Sequence, residues 1–329
     1  MNDLVQTDGS VPDFITLFFP ANNVESHDAL ILEPLLALQV TEMKDGVFIS
    51  FGYNHMVADG SSFWKLKFFH TWSKICQTGS SSNFQPLVLK DWFLNKIDYP
   101  IHIPVSETER PLNSETSTKE RVFHFSKKKI SYLKAKANEE VGSIDPKISS
   151  LQAVLAYIWL SIIRHSGLKR EEETQCKVAA DMRRRLDPLI EKECFGNLTD
   201  LAIATTTVGD LLDHGMGWTA LQICKPVRSQ TNESYKSFSE NWVRNVKIPK
   251  IGVGSRIADN SLIVASSPWF EVYDHDFGWG KPIAARAGLG NGIGGLLVLF
   301  RGVEEGSIDV HAALTSSLWS DVLLNLVAE

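Results

Sequence analysis

One stretch limits most sharply what this chain can become. Gly46-Val47-Phe48-Ile49-Ser50-Phe51-Gly52 reads as a buried strand, and Ser61-Ser62-Phe63-Trp64-Lys65-Leu66-Lys67-Phe68-Phe69 as the opening of a helix. Between them stands Asn54-His55-Met56-Val57-Ala58-Asp59-Gly60. A strand-to-helix turn anchors its backbone while presenting a side chain at the end of a sheet, and glycine eases the bend. An imidazole with an ordinary pKa near ~6.5 is suited there to take a proton from a hydroxyl or amine. His-x-x-x-Asp also arises by chance, so a packed or merely exposed histidine is the competing reading at this point.

The flanking chain supplies mixed strands and helices. Phe14 to Phe19 reads as a short strand closed by Pro20, and Leu35 to Thr41 as a strand. Lys44-Asp45-Gly46 is a hairpin signal leading into the arm that delivers His55. A helix is expected from about Ser61 to Gln77, stopped by Gly79. Residues 79 to 118 form a long irregular crossing. Glu120 to Phe125 alternates as a strand, and Lys127 to Asn138 reads as a helix capped by Ser126. A helix opened by Ile148-Ser149-Ser150 buries Leu151, Val154, Leu155, Ile158, Trp159 and Ile162. Further strands are expected at 177–181, 201–208, 262–265, 295–300 and 308–314, with two helices over 209–246 and a last one from Trp319 to Val327.

Near the far end stands Tyr273-Asp274-His275-Asp276-Phe277-Gly278-Trp279-Gly280-Lys281-Pro282. His-x-x-x-Asp-Gly followed at long distance by Asp-Phe-Gly-Trp-Gly resembles the plant BAHD acyltransferase family, over essentially the whole chain. The resemblance implies an α/β, two-lobed coenzyme A-dependent fold with mixed sheets flanked by helices. Residues 1–100 would then belong to an N-terminal lobe, 101–120 to a crossover, and 121–329 to a C-terminal lobe. It implies transfer of an acyl group from acyl-coenzyme A to a hydroxyl or amine of a plant specialised metabolite. His55 is the general base, and Asp59 holds the turn through an arginine rather than relaying a proton. Trp279 either packs or donates its indole N–H to the developing oxyanion. Lys147 and Ser149 resemble the family's Lys-x-Ser at the cofactor phosphates, where a helix N-terminus helps. Arg183, in Asp181-Met182-Arg183-Arg184-Arg185-Leu186, and Asn197 complete the expected coenzyme A contacts. Asp276 could pair with Arg183 or Arg185.

Two departures qualify the resemblance. No arginine stands in Ser267-Pro268-Trp269-Phe270-Glu271-Val272, which disfavours a shikimate-type acceptor. His55 also lies close to the N-terminus, where relatives carry a substantial preceding segment. The expectation is a shortened lobe with exposed strand edges and apolar faces, poorly soluble or weakly active. A lyase using the same histidine without coenzyme A, and a non-catalytic paralogue with a binding or regulatory role, stand as alternatives.

Other classes are weaker. With 22% charged residues and a net charge of −6, nucleic acid is not an expected partner. The four cysteines are scattered without zinc spacing, which fits a reduced cytoplasm and no metal. Met1-Asn2-Asp3-Leu4-Val5 is no signal sequence, and no run reaches membrane-spanning length. Gly290-Asn291-Gly292-Ile293-Gly294-Gly295 matches a dinucleotide fingerprint but precedes a strand, so it reads as a glycine-rich hairpin loop. There is no G-x-S-x-G elbow and no G-K-[ST]. A monomer working on acyl-coenzyme A and a small-molecule acceptor, with no bound cofactor and no membrane, is the expectation.

Overall fold

The computed structural model describes residues 4, 9–20, 34–65, 68–80, 118–142, 147–190, 194–246, 260–288, 294–315 and 319. Strands β1 (Leu36–Met43) and β2 (Gly46–Tyr53) form an antiparallel hairpin, with Met43 opposite Gly46 at the expected turn. A π-helical turn, Ser61–Lys65, follows the His55 loop, and α1 (Phe68–Thr78) follows that. Gly79 ends α1 at φ 67°, a conformation that suits glycine. The helix expected from Ser61 therefore opens as a π-helical turn, and residues 66 and 67 lie outside the described residues.

The larger part is a mixed six-stranded sheet. Its strands are β3 (Thr118–Phe125), β4 (Glu173–Asp181), β5 (Thr199–Thr207), β6 (Ser261–Ser266), β7 (Leu296–Arg301) and β8 (Ile308–Thr315). Their order across the sheet is β3-β8-β7-β6-β4-β5. The β4–β6 and β6–β7 pairs are parallel and the others antiparallel. Because β6 and β7 run parallel, the segment joining them is a crossover and not the hairpin read from its glycines; residues 289–293 lie outside the described residues. Gly295 enters β7 at φ 84°, and its N–H bonds to Ala313.

Helices α2 (Lys127–Val141) and α3 (Ser150–Arg164) pack into the same buried core as the sheet. Ser126 caps α2 by accepting from Lys129 N–H, and Ser149 with Gln152 forms a capping box on α3. From Ala153 to Ile163 all but Tyr157 are buried, so α3 is the central core helix. Trp159 is wholly buried, and its indole donates to Thr174 Oγ1 at 2.9 Å, which satisfies the one polar group it carries inward. Residues 208–246 hold three helices rather than two: α4 (Val208–Asp213), α5 (Gly215–Ser229) and α6 (Asn232–Arg244). Thr207 caps α4, and Gly215 at φ 77° breaks and restarts the chain.

The Phe14–Phe19 run is a 3₁₀ helix, Asp13–Phe18, and not a strand. Pro12 and Asp13 favour a helical first turn, and the run is spent on aromatic packing instead of a ladder. Phe18 and Phe19 lie 5.2 and 5.6 Å from Phe48. Gln39 Nε2 donates to Leu17 O at 2.9 Å, so the turn docks on the β1–β2 hairpin. Just before it, residues 9–11 pair with the β3 edge through Val122 N–H to Gly9 O and Val11 N–H to Glu120 O. On the hairpin's outer side Leu38 and Val40 are exposed. The crossing from 81 to 117 and the helix expected after Trp319 lie outside the described residues. Trp319 itself is buried, stacked on Phe123, and donates to Lys119 O at 2.9 Å.

His311 on β8 is fully buried against Phe300, and its Nδ1 accepts from Ala287 N–H at 3.2 Å. Burial, then the Arg286 charge, push its pKa down from 6.5 to about 3. Below pH ~6.5 the unfolded chain takes up a proton that the folded one refuses. Stability is therefore intact above that pH and falls by up to about 1.4 kcal/mol per unit as pH drops toward 3. Denaturant titrations at pH 7.5, 6 and 5 should show a shallower decline for His311→Gln than for the unsubstituted protein; parallel curves would refute it.

Candidate active site

His55 occupies a turn whose backbone is tied on every side. Asn54 is buried; its N–H bonds to Leu35 O at 2.9 Å, and its Oδ1 accepts from Met56 N–H at 3.0 Å. Such an Asx turn fixes the residue that follows the asparagine. Asn197 Nδ2 donates to the His55 carbonyl at 2.7 Å and lies 3.3 Å from His55 Nδ1. Thr199 N–H bonds to Asn197 Oδ1, which settles the orientation of the amide. Among the described residues Nε2 has no partner. Asn197, expected at coenzyme A, is exposed and bonded to the His55 backbone, a contact the Gly196-Asn197 dipeptide could not reveal.

Asp59 does not touch His55. It is 2% exposed, and both its oxygens are fully engaged. Arg183 Nη1 donates to Oδ2 at 2.8 Å and Nη2 to Oδ1 at 3.1 Å. Ser62 N–H and Leu198 N–H each reach it at 2.9 Å. Arg183 is equally committed: to Asp181 at 3.2 Å, to Gly196 O at 2.8 Å and to Cys194 O at 3.3 Å. Its pKa is raised because these carboxylate contacts outweigh its desolvation. With its donors used inside the protein and 5% exposure, Arg183 cannot hold coenzyme A phosphate. That expectation is corrected: the arginine ties the His55 turn to the strand end that carries Asn197.

The Asp-Phe-Gly-Trp-Gly loop closes on itself. Asp276 Oδ1 accepts from Gly278 N–H at 2.7 Å and Gly280 N–H at 3.0 Å, and the first of these is the main reason its pKa is lowered. It pairs with neither Arg183 nor Arg185; Arg185 instead bonds to Val227 O and to Gln230 O at 3.0 Å. Gly278 and Gly280 have φ of 106° and 102°, which only glycine adopts without strain. Phe277 packs edge-on to Trp72 at 4.8 Å, and His275 stacks on Trp64 at 5.6 Å. Trp279 is 70% exposed, which rules out the packing role.

These pieces border one cavity of ≈1170 Å³. That exceeds the roughly 300–1,000 Å³ usual for one drug-sized ligand, so two substrates can share it. His55, Asn54 and Ser61 line it from the hairpin side, and Trp279, Lys281 and Arg286 from the other. Phe51, Tyr53, Trp64 and Phe270 make much of the wall aromatic. Gly60 lets Phe270 approach, since a Cβ there would lie 2.9 Å from its ring. Leu151 brings the start of α3 to the wall, behind exposed Lys147 and Ser149, whose hydroxyl is the α3 cap.

A two-lobed α/β fold around a histidine-lined cavity defines the acyltransferase class. The model described as "Transferase family" matches residues 1–321, and the chain belongs to this family of BAHD acyltransferases. It is 60% identical to an uncharacterized acetyltransferase of Arabidopsis thaliana, covering 100% of this chain and 73% of that protein. It is 32% identical to the BAHD acyltransferase DCR of the same organism, over 97% of this chain and 66% of the relative. The crystal structure of F. sporotrichioides TRI101 complexed with coenzyme A and T-2 superimposes with a TM-score of 0.66 at 18% identity, covering 88% of this chain and 67% of that one.

Removing one partner of a buried ion pair leaves the other charge uncompensated, at a cost of about 3–5 kcal/mol. Asp59→Asn should therefore lower the melting temperature and loosen the His55 turn together. An unchanged melting curve for Asp59→Asn would contradict the anchoring role.

Proposed function

We propose that the protein transfers an acyl group from acyl-coenzyme A to a hydroxyl or amine of a plant specialised metabolite, with His55 as general base. The observation that carries this reading is His55 itself: backbone-anchored, oriented by Asn197, and set on the wall of a cavity roomy enough for two substrates. For a neutral imidazole to accept at Nε2, its proton must sit on Nδ1. That tautomer gives up the long 3.3 Å contact with Asn197, a loss of about 0.5–1.5 kcal/mol, and requires the Asn197 N–H to turn aside from the Nδ1 proton. Nε2 then takes the acceptor's O–H or N–H proton as the acceptor oxygen or nitrogen attacks the thioester carbonyl. When the tetrahedral intermediate collapses, the C–S bond breaks and the imidazolium returns the proton to the departing thiolate. Acyl product and free coenzyme A leave, and the base is regenerated.

The other parts have assignable tasks within the same reading. Lys147 and the capped start of α3 offer a cation and N–H groups to coenzyme A phosphates. Trp279, exposed on the rim, presents an indole donor for the oxyanion. The aromatic wall suits an apolar or aromatic substrate skeleton.

Incubating purified protein with a panel of acyl thioesters and phenolic, alcohol and amine acceptors, with mass-spectrometric detection, tests the reaction. His55→Ala should lose about 10²–10⁴-fold in turnover with its fold intact. Near-normal turnover in the folded variant sinks the assignment. A well-folded protein that binds no coenzyme A and eliminates a small metabolite instead would replace transfer by lyase chemistry.

A further inference from the structure

Tyr53 is the last residue of β2, and its ring centre lies 5.5 Å from that of His55. Strand alternation puts it on the same face as Phe51, whose ring it stacks on at 5.9 Å, and Phe63 packs against it at 4.2 Å. The ring is gripped by two phenylalanines and the imidazole, and it lines the cavity. A phenylalanine would fill the same space, so the hydroxyl calls for an explanation. A phenol in apolar surroundings ordinarily finds a hydrogen-bond partner in the protein. Other hydroxyls on this cavity do: Ser61 Oγ donates to Asp181 at 2.8 Å, Thr199 Oγ1 to Asp59 at 3.3 Å, and Ser50 Oγ to Phe18 O. No described residue donates to the Tyr53 hydroxyl or accepts from it. Nor is that hydroxyl sealed: among the described residues, the sealed side-chain atoms without a partner belong to Gln230, His275 and His311. The partner of Tyr53 is therefore to be supplied from the cavity.

Two features say what kind of atom that is. Burial first, then the negative charge of Asp59, push the Tyr53 pKa up, so the proton stays on the oxygen and the group is a donor, not a base. The same two influences penalise an anion at rest, so the resting partner is a neutral oxygen. The place decides which one. If His55 activates the acceptor, the carbon under attack lies next to this imidazole, and the neutral oxygen it always carries is the thioester carbonyl.

We propose that the Tyr53 hydroxyl donates a hydrogen bond to the carbonyl oxygen of the acyl thioester, which makes Tyr53 a catalytic residue beside His55. The proposal rests on the transfer reading and adds to it the residue that holds the carbonyl. As the acceptor oxygen or nitrogen bonds to the carbonyl carbon, the π electron pair moves onto that oxygen. The Tyr53 bond then strengthens without giving up its proton, and it offsets the transient charge that its surroundings would otherwise resist. On collapse the pair returns, the C–S bond breaks, and the thiolate takes the proton carried by His55. A carbonyl oxygen has two lone pairs, which leaves one for Trp279 on the other side of the cavity.

Acetyl-coenzyme A and S-ethyl-coenzyme A are the probes, because one has a C=O where the other has a CH₂. Their affinities are measured by calorimetry without acceptor, for the unsubstituted protein and for Tyr53→Phe, which keeps the ring and its packing. The preference for the acetyl over the ethyl form should be roughly twofold to tenfold greater in the unsubstituted protein, the range of one neutral hydrogen bond. Comparing the ratio between the two proteins removes whatever else separates the two ligands. With an acceptor that turns over, kcat of Tyr53→Phe should fall by about tenfold or more at an unchanged melting temperature, since the bond strengthens as charge develops. The same acetyl-to-ethyl ratio in both proteins overturns the proposal. So does a raised KM for the acceptor with that ratio unchanged, which puts the hydroxyl on the other substrate. A folded protein that binds neither probe refutes the transfer reading and the proposal with it. A Tyr53-dependent ratio without acyl transfer to any acceptor refutes the reaction and leaves the carbonyl site standing.

Discussion

The buried pair between Asp59 and Arg183 is the constraint on which the site depends. Two opposite charges so deeply buried pay heavily for lost water, and geometry alone recovers the cost. Here the geometry is fully engaged: two-point contact, two backbone N–H groups on the carboxylate, and backbone carbonyls on the guanidinium. The pair joins a turn near residue 60 to a segment near residue 197. Asn197 and His55 meet only because that joint is closed. An aspartate four residues from a histidine invites a relay reading, but its oxygens are spent on the frame.

A second tie runs through aromatic rings. Phe51, Phe63, Trp64 and Phe69 pack into one cluster under the His55 turn, and Trp64 continues it to His275. Trp72 continues it to Phe277. The two motifs are far apart in sequence, yet each is a face of the same packed body. The β1–β2 hairpin, the first helix and the glycine loop therefore cannot shift independently of one another.

Much of the fold was legible because it was local. Lys44-Asp45-Gly46 set the hairpin, Ser126 and Ser149 set helix starts, and the alternation of Glu120 to Phe125 set a strand. Phe14 to Phe19 misled because apolar content alone does not separate a strand from a short helix, and Pro12 and Asp13 tipped it. The parallel β6–β7 pairing was hidden because glycines announce a turn without saying where the chain came from. At the site, His55 was readable from its turn. Arg183 and Asn197 were not, since a charged or amide side chain looks the same in sequence whether it faces a ligand or a neighbour. Only their partners distinguish the cases: Asp59 for one, the His55 carbonyl for the other.

The Asp276 clasp has a consequence for the energetics of recognition. Its two bonds to glycine N–H groups, and the positive φ of both glycines, leave the backbone around Trp279 little freedom. A large exposed indole is ordinarily the sort of group whose loop must be stilled before it can grip anything. Here the stilling is done at folding and drawn from the stability of the whole chain. A molecule arriving at this rim meets a backbone already fixed and owes less ordering entropy on contact. The loop's sequence, with small residues where no side chain could sit and an acid to hold them, is a device for settling that debt early.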